Sequence, residues 1–346
     1  LSKRSHAFPS QHMGDLKNAQ TLDNWERQIE HFSALYDIAP AAIACDMHPD
    51  YLSTAYAEER AESDAVPLLR VQHHHAHMAA CMADNGLEGD CLGLIWDGTG
   101  YGSDGRIWGA EVLAGGYKAF RRVGTMRPVA LAGGDAAMDG IWRVGLALLR
   151  DSGLDTNRFA GEDGYETVLK MLQTGTNCPE SSGMGRLFDG VAAVLGIRRK
   201  AGYEGQGAVL LEAAALAGEG GAYPYELCGG EVLTLDWRPT VRALTSELDG
   251  GVEVPVIAAR FMNTLIHAAA EQLARLAAET GLGRVVLSGG VFQNMYIMGR
   301  LPERLRARGL EVYTHSRVSA NDEGISLGQL MILEANYVLG GAAENS

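Results

Sequence analysis

The chain has 346 residues, 47% of them hydrophobic and 21% charged, and a formal net charge of -14. This composition excludes a chain that is disordered throughout. The negative charge argues against a nucleic-acid partner, because phosphates would be repelled, and no apolar run reaches the roughly 18 residues of a membrane span. We therefore expect no nucleic-acid partner and no membrane insertion.

The cysteines and the first residues bear on the cellular compartment. Five cysteines are scattered and never form a CxxC pair, which is typical of a reducing compartment. The first residues contain no apolar segment like that of a secretory signal. We expect a cytoplasmic protein.

Apolar periodicity predicts a mixture of helices and strands up to residue 116. The spacing indicates a helix over 21–37 with Thr21 as its N-cap. The turn signal Asp104-Gly105 predicts a hairpin. The other predicted elements are strands at 41–48, 68–72, 91–99 and 107–116 and helices at 53–63 and 74–85.

From about residue 135 to 280 the pattern is mostly helical, and the chain then closes on an α/β unit. The helices predicted in the middle part are 136–151, 163–173, 185–196, 206–217 and 255–280. The closing unit is predicted as strand 284–290, helix 291–307, strand 310–314 and helix 322–338. We expect 340–346 to form a frayed tail.

The string HHHAH contains four of the ten histidines. In a helix, His73 and His77 lie one turn apart and point the same way, which makes them a pair of metal ligands. Cys81 follows on the same face, either as a third ligand or as a buried apolar group. The alternative is a polar strand end with surface histidines, and we favour the metal site because the pair lies within a run of histidines.

A glycine-rich turn follows the strand at 91–99. Asp97, Gly98, Thr99 and Gly100 end the strand and begin the hairpin. Backbone N–H groups of such a turn can hold phosphate oxygens, and Asp97 can bind a metal. On these residues alone an ordinary β-turn is the better interpretation.

Two further motifs lie before helices near the end of the chain. Gly289 and Gly290 follow a strand, and this loop is typical of either a nucleotide site or an ordinary βα connection. Asp322 in NDEG can be a simple helix cap. A histidine pair that binds a metal needs carboxylates from elsewhere, however, and Asp97 and Asp322 are the best-placed candidates. Imidazoles with carboxylates suit iron or zinc.

Two acidic residues lie near glycines in the middle of the chain. Asp189 falls at the start of an apolar helix, where it is either buried and paired or functional. Glu204, next to Gly205, can accept hydrogen bonds from ribose hydroxyls. On the residues alone we favour the structural interpretation of both.

Taken together, the motifs resemble the C-terminal part of the HypF carbamoyltransferases of NiFe-hydrogenase maturation. The strings that carry the resemblance span nearly the whole chain and include CDMHPDYLSTAYA, VQHHHAHMAACMADNGL, WDGTGYGSDGRIWGAEVL, RLFDGVAAVLGIRRKAGYEGQGAVLLEAA, LSGGVFQN and NDEGISLGQ. The resemblance implies an α/β chain with the actin-like ATPase (ASKHA) fold, shared with the tRNA threonylcarbamoyl transferase family.

The resemblance also implies a domain organisation. A first lobe would cover 1–90, and a second lobe would cover 91–330 with a large helical insertion at about 135–280. Residues 331–346 would be the end of the C-terminal helix and a tail. A nucleotide and metal cleft would lie between the lobes.

The same resemblance implies roles for individual residues. One divalent metal, iron or zinc, would be held by His73, His77, Asp97 and Asp322, and His74 or His75 would stabilise the oxyanion. An adenine nucleotide would contact the hairpin at 97–102. Its implied binding positions are Asp97, Gly98, Thr99, Gly100, Asp189, Glu204, Gly205, Gly289, Gly290 and Asn294.

The implied reaction is acyl transfer. Carbamoyl-adenylate made by another domain would pass its carbamoyl group to the C-terminal cysteine of HypE, with AMP leaving. Three family domains have no counterpart here: the acylphosphatase domain, the zinc-finger motifs and the domain that makes the adenylate. We expect the first hairpin of the actin-like lobe just upstream of Leu1, and therefore expect the chain to be a fragment.

Four other functions compete with this one. The chain is an O-carbamoyltransferase if it acts on a small hydroxylated acceptor, and a docking module if it binds nucleotide and HypE without turnover. A metal-dependent hydrolase would need a general base, and no HExxH glutamate is present. The net charge argues against a tRNA-modifying enzyme.

Overall fold

The computed structural model describes residues 1–4, 6–14 and 16–343. The strands are β1 (Ser2–Lys3), β2 (His6–Ala7), β3 (Ile43–Asp46), β4 (Leu68–Val71), β5 (Cys91–Tyr101), β6 (Ile107–Gly115), β7 (Phe120–Met126), β8 (Val129–Ala130), β9 (Glu180–Ser181), β10 (Glu226–Cys228), β11 (Leu233–Asp236), β12 (Arg284–Ser288) and β13 (Glu311–Thr314). The helices are α1 (Ala19–Leu35), α2 (Leu52–Asp64), α3 (His73–Asp84), α4 (Ala136–Asp139), α5 (Trp142–Asp151), α6 (Tyr165–Thr174), α7 (Met184–Val194), α8 (Gln206–Ala214), α9 (Arg238–Asp249), α10 (Val254–Thr280), α11 (Met295–Met298), α12 (Leu301–Arg306) and α13 (Ile325–Ala343).

A nine-stranded sheet is the largest element of the fold. Its main path runs β10-β11-β7-β6-β5-β12-β13, with β8 and β9 attached beside β6. The strands β5, β12 and β13 are parallel, and Ser288 pairs with Ile95. Because parallel strands end at the same edge, the residues that follow β5 and β12 meet there.

A second, smaller sheet consists of the parallel strands β3 and β4. Asp46 pairs with Val71 at the carboxyl end of this sheet. Helix α3 begins directly after β4, at His73. The last residue of β3 and the first residue of α3 therefore lie side by side.

Helix α3 lies between the two sheets and is buried on nearly every side. One face, which includes Met78 and Met82, packs on β5, β6 and β12. Another face packs Ala76 and Ala79 against α13 and β4. A helix surrounded in this way needs apolar or small residues all round, so its histidines must find polar partners inside the protein.

The main core lies on the other face of the large sheet. It is formed largely by α5, α7, α9 and α10, of which α7 and α10 pack directly on β5, β6 and β7. Gln272 of α10 donates hydrogen bonds to the carbonyls of Thr125 and Leu233, which ties this helix to the sheet. No helix within the described ranges has both the length and the apolarity to span a membrane.

The predicted mixture of helices and strands is confirmed, but some elements differ. The helix predicted at 21–37 begins at Ala19, since Asn18 rather than Thr21 accepts the capping hydrogen bonds. The helix predicted at 291–307 is wrong, because this segment forms a 3-10 turn followed by α11 and α12. The long range predicted as mostly helical also contains β9, β10 and β11.

The end of the chain was predicted to be a frayed tail over 340–346. Helix α13 continues to Ala343, so 340–343 are helical. Residues 344–346 lie outside the described residues.

Candidate metal centre and adjoining loops

Four side chains from three parts of the fold converge at the carboxyl edge of the large sheet. His73 and His77 lie one turn apart on α3, Asp97 is on β5, and Asp322 precedes α13. One ligand atom from each residue falls within 4.8 Å of the others. Nε2 of His77 is 3.4 Å from both Asp97 Oδ2 and Asp322 Oδ1, and Nε2 of His73 is 3.3 Å from Asp97 Oδ2.

Three of these four side chains are buried and one is open. The imidazoles of His73 and His77 are 2% and 1% exposed, and the Asp97 carboxylate is 12% exposed. The Asp322 carboxylate is 69% exposed. The cluster therefore opens to solvent on the side of Asp322.

His73 is held in place by Asp46, a residue that the sequence analysis does not select. Nδ1 of His73 is 2.9 Å from Asp46 Oδ2, and both side chains are buried. A carboxylate on Nδ1 places the proton there and turns the Nε2 lone pair towards the other ligands. In the sequence, the only indication of Asp46 is its position at the end of β3. Its proximity to His73 arises only when β3 pairs with β4 in the folded sheet.

The strand β5 is irregular where it reaches the cluster. Its pairing with β6 shifts register between Trp96 and Gly100. This shift turns Asp97 towards α3, and the N–H of Gly290 donates to Asp97 Oδ1 at 3.2 Å. A Cβ atom on Gly100 would lie 2.6 Å from both the His73 and His74 rings, so β5 reaches α3 only because this residue is glycine.

The charges of the cluster reinforce one another. Burial alone would lower the pKa of His73, but hydrogen bonds to Asp46 and Asp97 raise it well above its ordinary value. Burial would likewise lower the pKa of His77, and Asp322 and Asp97 raise it. Burial would raise the pKa of Asp97, but the two histidines hold it well below its ordinary value. The site therefore favours positive charge, which protons or a cation can supply.

The donor set fits a divalent cation. Two imidazole nitrogens and two carboxylate oxygens suit iron, zinc or manganese. Nε2 of His77 is buried without a hydrogen-bond partner among the described side chains, although two carboxylates lie close to it. A cation between them would satisfy this nitrogen.

A second group of possible ligands lies at the other edge of the large sheet. It consists of Glu226, Cys228 and Asp236 on β10 and β11. Arg238 contacts both carboxylate oxygens of Asp236, so the charge of that residue is already neutralised. The first two residues are exposed, and the group fits a cation less well than the cluster on α3 does.

The histidines His74 and His75 are not part of the ligand group and have other partners. Gln72 donates from Nε2 to His74 Nδ1 at 3.0 Å, and the His74 ring lies near Trp108. His75 Nε2 is 2.7 Å from the carbonyl oxygen of Gly116 and its ring contacts Phe120. Burial lowers the pKa of both histidines, which keeps them neutral.

The glycines predicted to contact a nucleotide lie directly beside the cluster. Gly289 has φ +105°, and a Cβ atom there would be 2.2 Å from the carbonyl oxygen of Trp96. Gly290 follows at the start of a 3-10 turn. A Cβ atom on Gly98 would have Glu204 Oε1 and Arg186 within 3.4 Å, so the hairpin and the Glu204 loop lie together. Thr99 is half-buried on the same hairpin.

The remaining predicted nucleotide residues have partners within the chain. Asp189 forms a buried ion pair with Arg186 at 3.1 Å. Burial raises the pKa of Asp189 to about 6, with Arg186 opposing the shift. Asn294 Oδ1 accepts from the N–H of Ile297 and caps α11. Gly205, at φ +76°, precedes α8.

Comparison with known proteins assigns this chain to a class of protein. Residues 93–329 match the family described as carbamoyltransferase, Kae1-like domain, second subdomain. Residues 1–84 match the HypF Kae1-like domain. The chain therefore consists largely of a Kae1-like domain.

Comparison with individual relatives identifies the family. Carbamoyltransferase HypF of Synechocystis sp. is 36% identical over 96% of this chain and 45% of its own length. A carbamoyltransferase HypF homolog of Cupriavidus necator is 35% identical over 92% of this chain and 84% of its own length. The chain belongs to the HypF carbamoyltransferase family, and it spans about half the length of most of the curated relatives it matches.

Solved structures support the same assignment. A crystal structure of full-length HypF in the phosphate- and nucleotide-bound form superimposes with a TM-score of 0.89 and 39% identity, over 96% of this chain and 52% of that one. A crystal structure of T. kodakarensis HypF gives a TM-score of 0.85 and 29% identity, over 96% of this chain and 45% of that one. The arrangement of elements is therefore that of the matching part of HypF.

Proposed function

We propose that this chain carries out the carbamoyl-transfer step of a HypF protein. Carbamoyl-adenylate would bind beside the cluster on α3, and the C-terminal cysteine thiolate of HypE would attack the carbamoyl carbon. AMP would leave as the new C–S bond forms. The observation that carries the proposal is the convergence of His73, His77, Asp97 and Asp322 next to Gly289 and Gly290.

The four clustered residues would hold one divalent cation, iron or zinc. When bound, such a cation supplies a Lewis acid for a carbonyl or phosphate oxygen. The protein's part is to orient the ligands, since Asp46 fixes His73 and the Gly290 N–H fixes Asp97. The open side at Asp322 leaves room for a substrate oxygen.

The adenylate would lie between the hairpin at 97–100 and the loop at 289–290. Gly98, Thr99 and Gly100 would approach its phosphate, and Glu204 and Gly205 its ribose. The proposal is supported by the phosphate- and nucleotide-bound form of a related HypF. Asp189 and Asn294 could join them if the ligand displaces their present partners, Arg186 and Ile297.

The structure suits a nucleophile supplied by a partner. Cys81 and Cys91 are buried, and burial raises the pKa of both thiols, that of Cys91 to about 12. A thiol is nucleophilic only as the thiolate, so neither is suited to attack. Cys228 lies on β10, at the opposite edge of the sheet from β13.

The wider organisation also stays a proposal. We propose an actin-like (ASKHA) arrangement with lobes at 1–90 and 91–330, a helical insertion at about 135–280 and a C-terminal segment at 331–346. The positions of β3–β4 and of the large sheet on either side of α3 support it. Five free thiols are compatible with a cytoplasmic protein.

The test is a double variant, His73→Ala with His77→Ala, compared with wild type and with His31→Ala, which removes an exposed histidine of α1. Metal content is measured, and HypE is assayed by intact mass for carbamoylation with supplied carbamoyl-adenylate. We expect the double variant to lose both metal and transfer, and His31→Ala to keep both. Unchanged metal content with undiminished carbamoylation would contradict the proposal.

The same assay separates the competing functions. Transfer to a small hydroxylated acceptor instead of HypE would identify an O-carbamoyltransferase. HypE binding without any transfer by the wild-type chain would identify a docking module.

A further inference from the structure

A buried row of polar side chains continues from the metal cluster to the far end of α3, and its first two links are hydrogen-bond contacts. Nδ1 of His77, on the side opposite the ligand atoms, is 3.4 Å from Ser288 Oγ. Ser288 Oγ is 2.8 Å from His315 Nε2. Nδ1 of His315 has no hydrogen-bond partner among the described residues, but it faces the Asp84 carboxylate at 3.9 Å from Oδ2, a charge contact. The hydrogen-bond contacts therefore run from His77 through a hydroxyl to a second imidazole, and a carboxylate lies beyond that imidazole.

All members of this row are shielded from water. Ser288 is fully buried, and the side chains of His315 and Asp84 are 6% and 0% exposed. Buried polar groups cost free energy unless they are paired, so their alignment calls for a physical reason. They connect α3, the end of β12 and the segment that leads to Asp322.

The Asp84 carboxylate sets the direction of the hydrogen bonds. Its negative charge favours a proton on the nearer nitrogen of His315, Nδ1. His315 Nε2 then carries a lone pair and accepts a hydrogen bond from the Ser288 hydroxyl at 2.8 Å. This distance is shorter than the 3.5 Å between the same hydroxyl and the Ala320 carbonyl oxygen. Ser288 Oγ is left to accept from Nδ1–H of His77, which turns the His77 Nε2 lone pair towards Asp97 and Asp322.

We propose that Ser288 and His315 are positioning residues of the metal centre, holding His77 in the tautomer that presents its Nε2 lone pair to the cation. This inference rests on the metal centre of the proposed function. Asp46 orients His73 by direct contact with its Nδ1. We assign the same role for His77 to Ser288 and His315, which lie between His77 and the Asp84 carboxylate.

The first test is the affinity for Co²⁺, with its absorption spectrum, in the purified chain. Ser288→Ala and His315→Leu should each weaken Co²⁺ binding about 10- to 100-fold, the usual effect of losing an outer hydrogen-bond partner. His315→Gln, whose amide oxygen can accept from Ser288, should restore most of the affinity. Ser152→Ala is the control, because Ser152 Oγ is buried without a hydrogen-bond partner among the described side chains.

Wild-type affinity in Ser288→Ala, or equal losses in His315→Leu and His315→Gln, would overturn the inference. Circular dichroism establishes that each variant is folded. If the wild-type chain binds no Co²⁺, the proposed metal centre is contradicted, and the inference about its positioning residues is contradicted with it.

The second test needs no metal and no variant. Long-range ¹H–¹⁵N NMR of the wild-type chain reports which nitrogen of His315 carries the proton. We expect neutral His315 protonated at Nδ1. A proton on Nε2 would reverse the hydrogen bonds, leave the His77 Nε2 lone pair unsupported and overturn the proposal even if Co²⁺ binds.

Discussion

At the scale of single residues, Gly100 controls how closely β5 approaches α3. A Cβ atom there would press on the rings of His73 and His74, both at 2.6 Å, whereas a Cβ atom on Gly98 would meet only side-chain atoms at 3.4 Å. We expect Gly100→Ala to displace His73 and to weaken Co²⁺ binding about tenfold or more, as loss of ligand geometry does. Gly98→Ala is the matched variant and should bind as wild type in the same titration. Equal affinities in both variants would contradict this.

Asp84 makes a pH-dependent contribution to stability. Burial alone would raise its pKa, but hydrogen bonds from the N–H groups of Ser316 and Arg317 and from the Arg317 side chain lower it to about 2. Because the pKa is lowered in the folded state, ionised Asp84 stabilises the fold. This stabilisation is fully present above the ordinary pKa of about 3.9 and is lost as the pH falls towards 2.

We therefore expect Asp84→Asn to lower the free energy of unfolding by about 1–3 kcal/mol at pH 7, because N–H donors lose a charged acceptor. Urea unfolding from pH 7 down to pH 2.5 measures both effects. The difference between Asp84→Asn and wild type should shrink below pH 4. Asp50→Asn, an exposed change, is the control. A difference that stays constant with pH would show that the charge of Asp84 is not involved.

At the scale of elements, sequence patterns predicted α3 and the β5–β6 hairpin well, because periodicity and the turn at Asp104-Gly105 are local signals. The segment at 291–307 was mispredicted, although its signals are also local. Asn294 caps a new helix, Gly299 ends it, and Pro302 stands in the first turn of the next. Strands β10 and β11 are short, and β11 joins the large sheet by pairing with β7, which is distant in sequence.

Another prediction at this scale concerns the contact between α3 and α13. A Cβ atom on Gly328 would be 1.8 Å from the carbonyl oxygen of Ala76, so the two helices touch through backbone. Gly328→Ala should push them apart and lower the free energy of unfolding by about 3 kcal/mol, at the upper end for overpacking. Gly283→Ala, in open space, should change it little. Urea unfolding measures the free energy of unfolding of both variants. Similar free energies for Gly328→Ala and Gly283→Ala would refute the close contact.

At the scale of the whole molecule, the sequence analysis selected the four residues that converge beside α3, but not the residues that support them. The spacing of His73 and His77 is visible in one helix. Asp46, Ser288 and His315 become neighbours of that pair only through the parallel pairing of β3 with β4 and of β12 with β5 and β13. Such long-range pairing leaves no local signal, so the second layer of the site follows only from the fold.

A cation in the cluster would link distant parts of the chain, since its ligands come from α3, β5 and the turn before α13. Anything that binds only the folded state stabilises it, by about 2.7 kcal/mol at 100 times the dissociation constant. We therefore expect Zn²⁺ or Co²⁺ to raise the Tm of the wild-type chain by several degrees, and a chelator to reverse the shift.

The two candidate clusters can be separated in this melting experiment. His77→Ala should lose the shift because a ligand is removed from the cluster on α3, while Cys228→Ser should keep it, because Asp236 in the other group is already neutralised by Arg238. The reverse pattern would move the cation to the edge strands β10 and β11. A shift retained by both single variants but lost in the double variant would show that the two clusters both bind the ion.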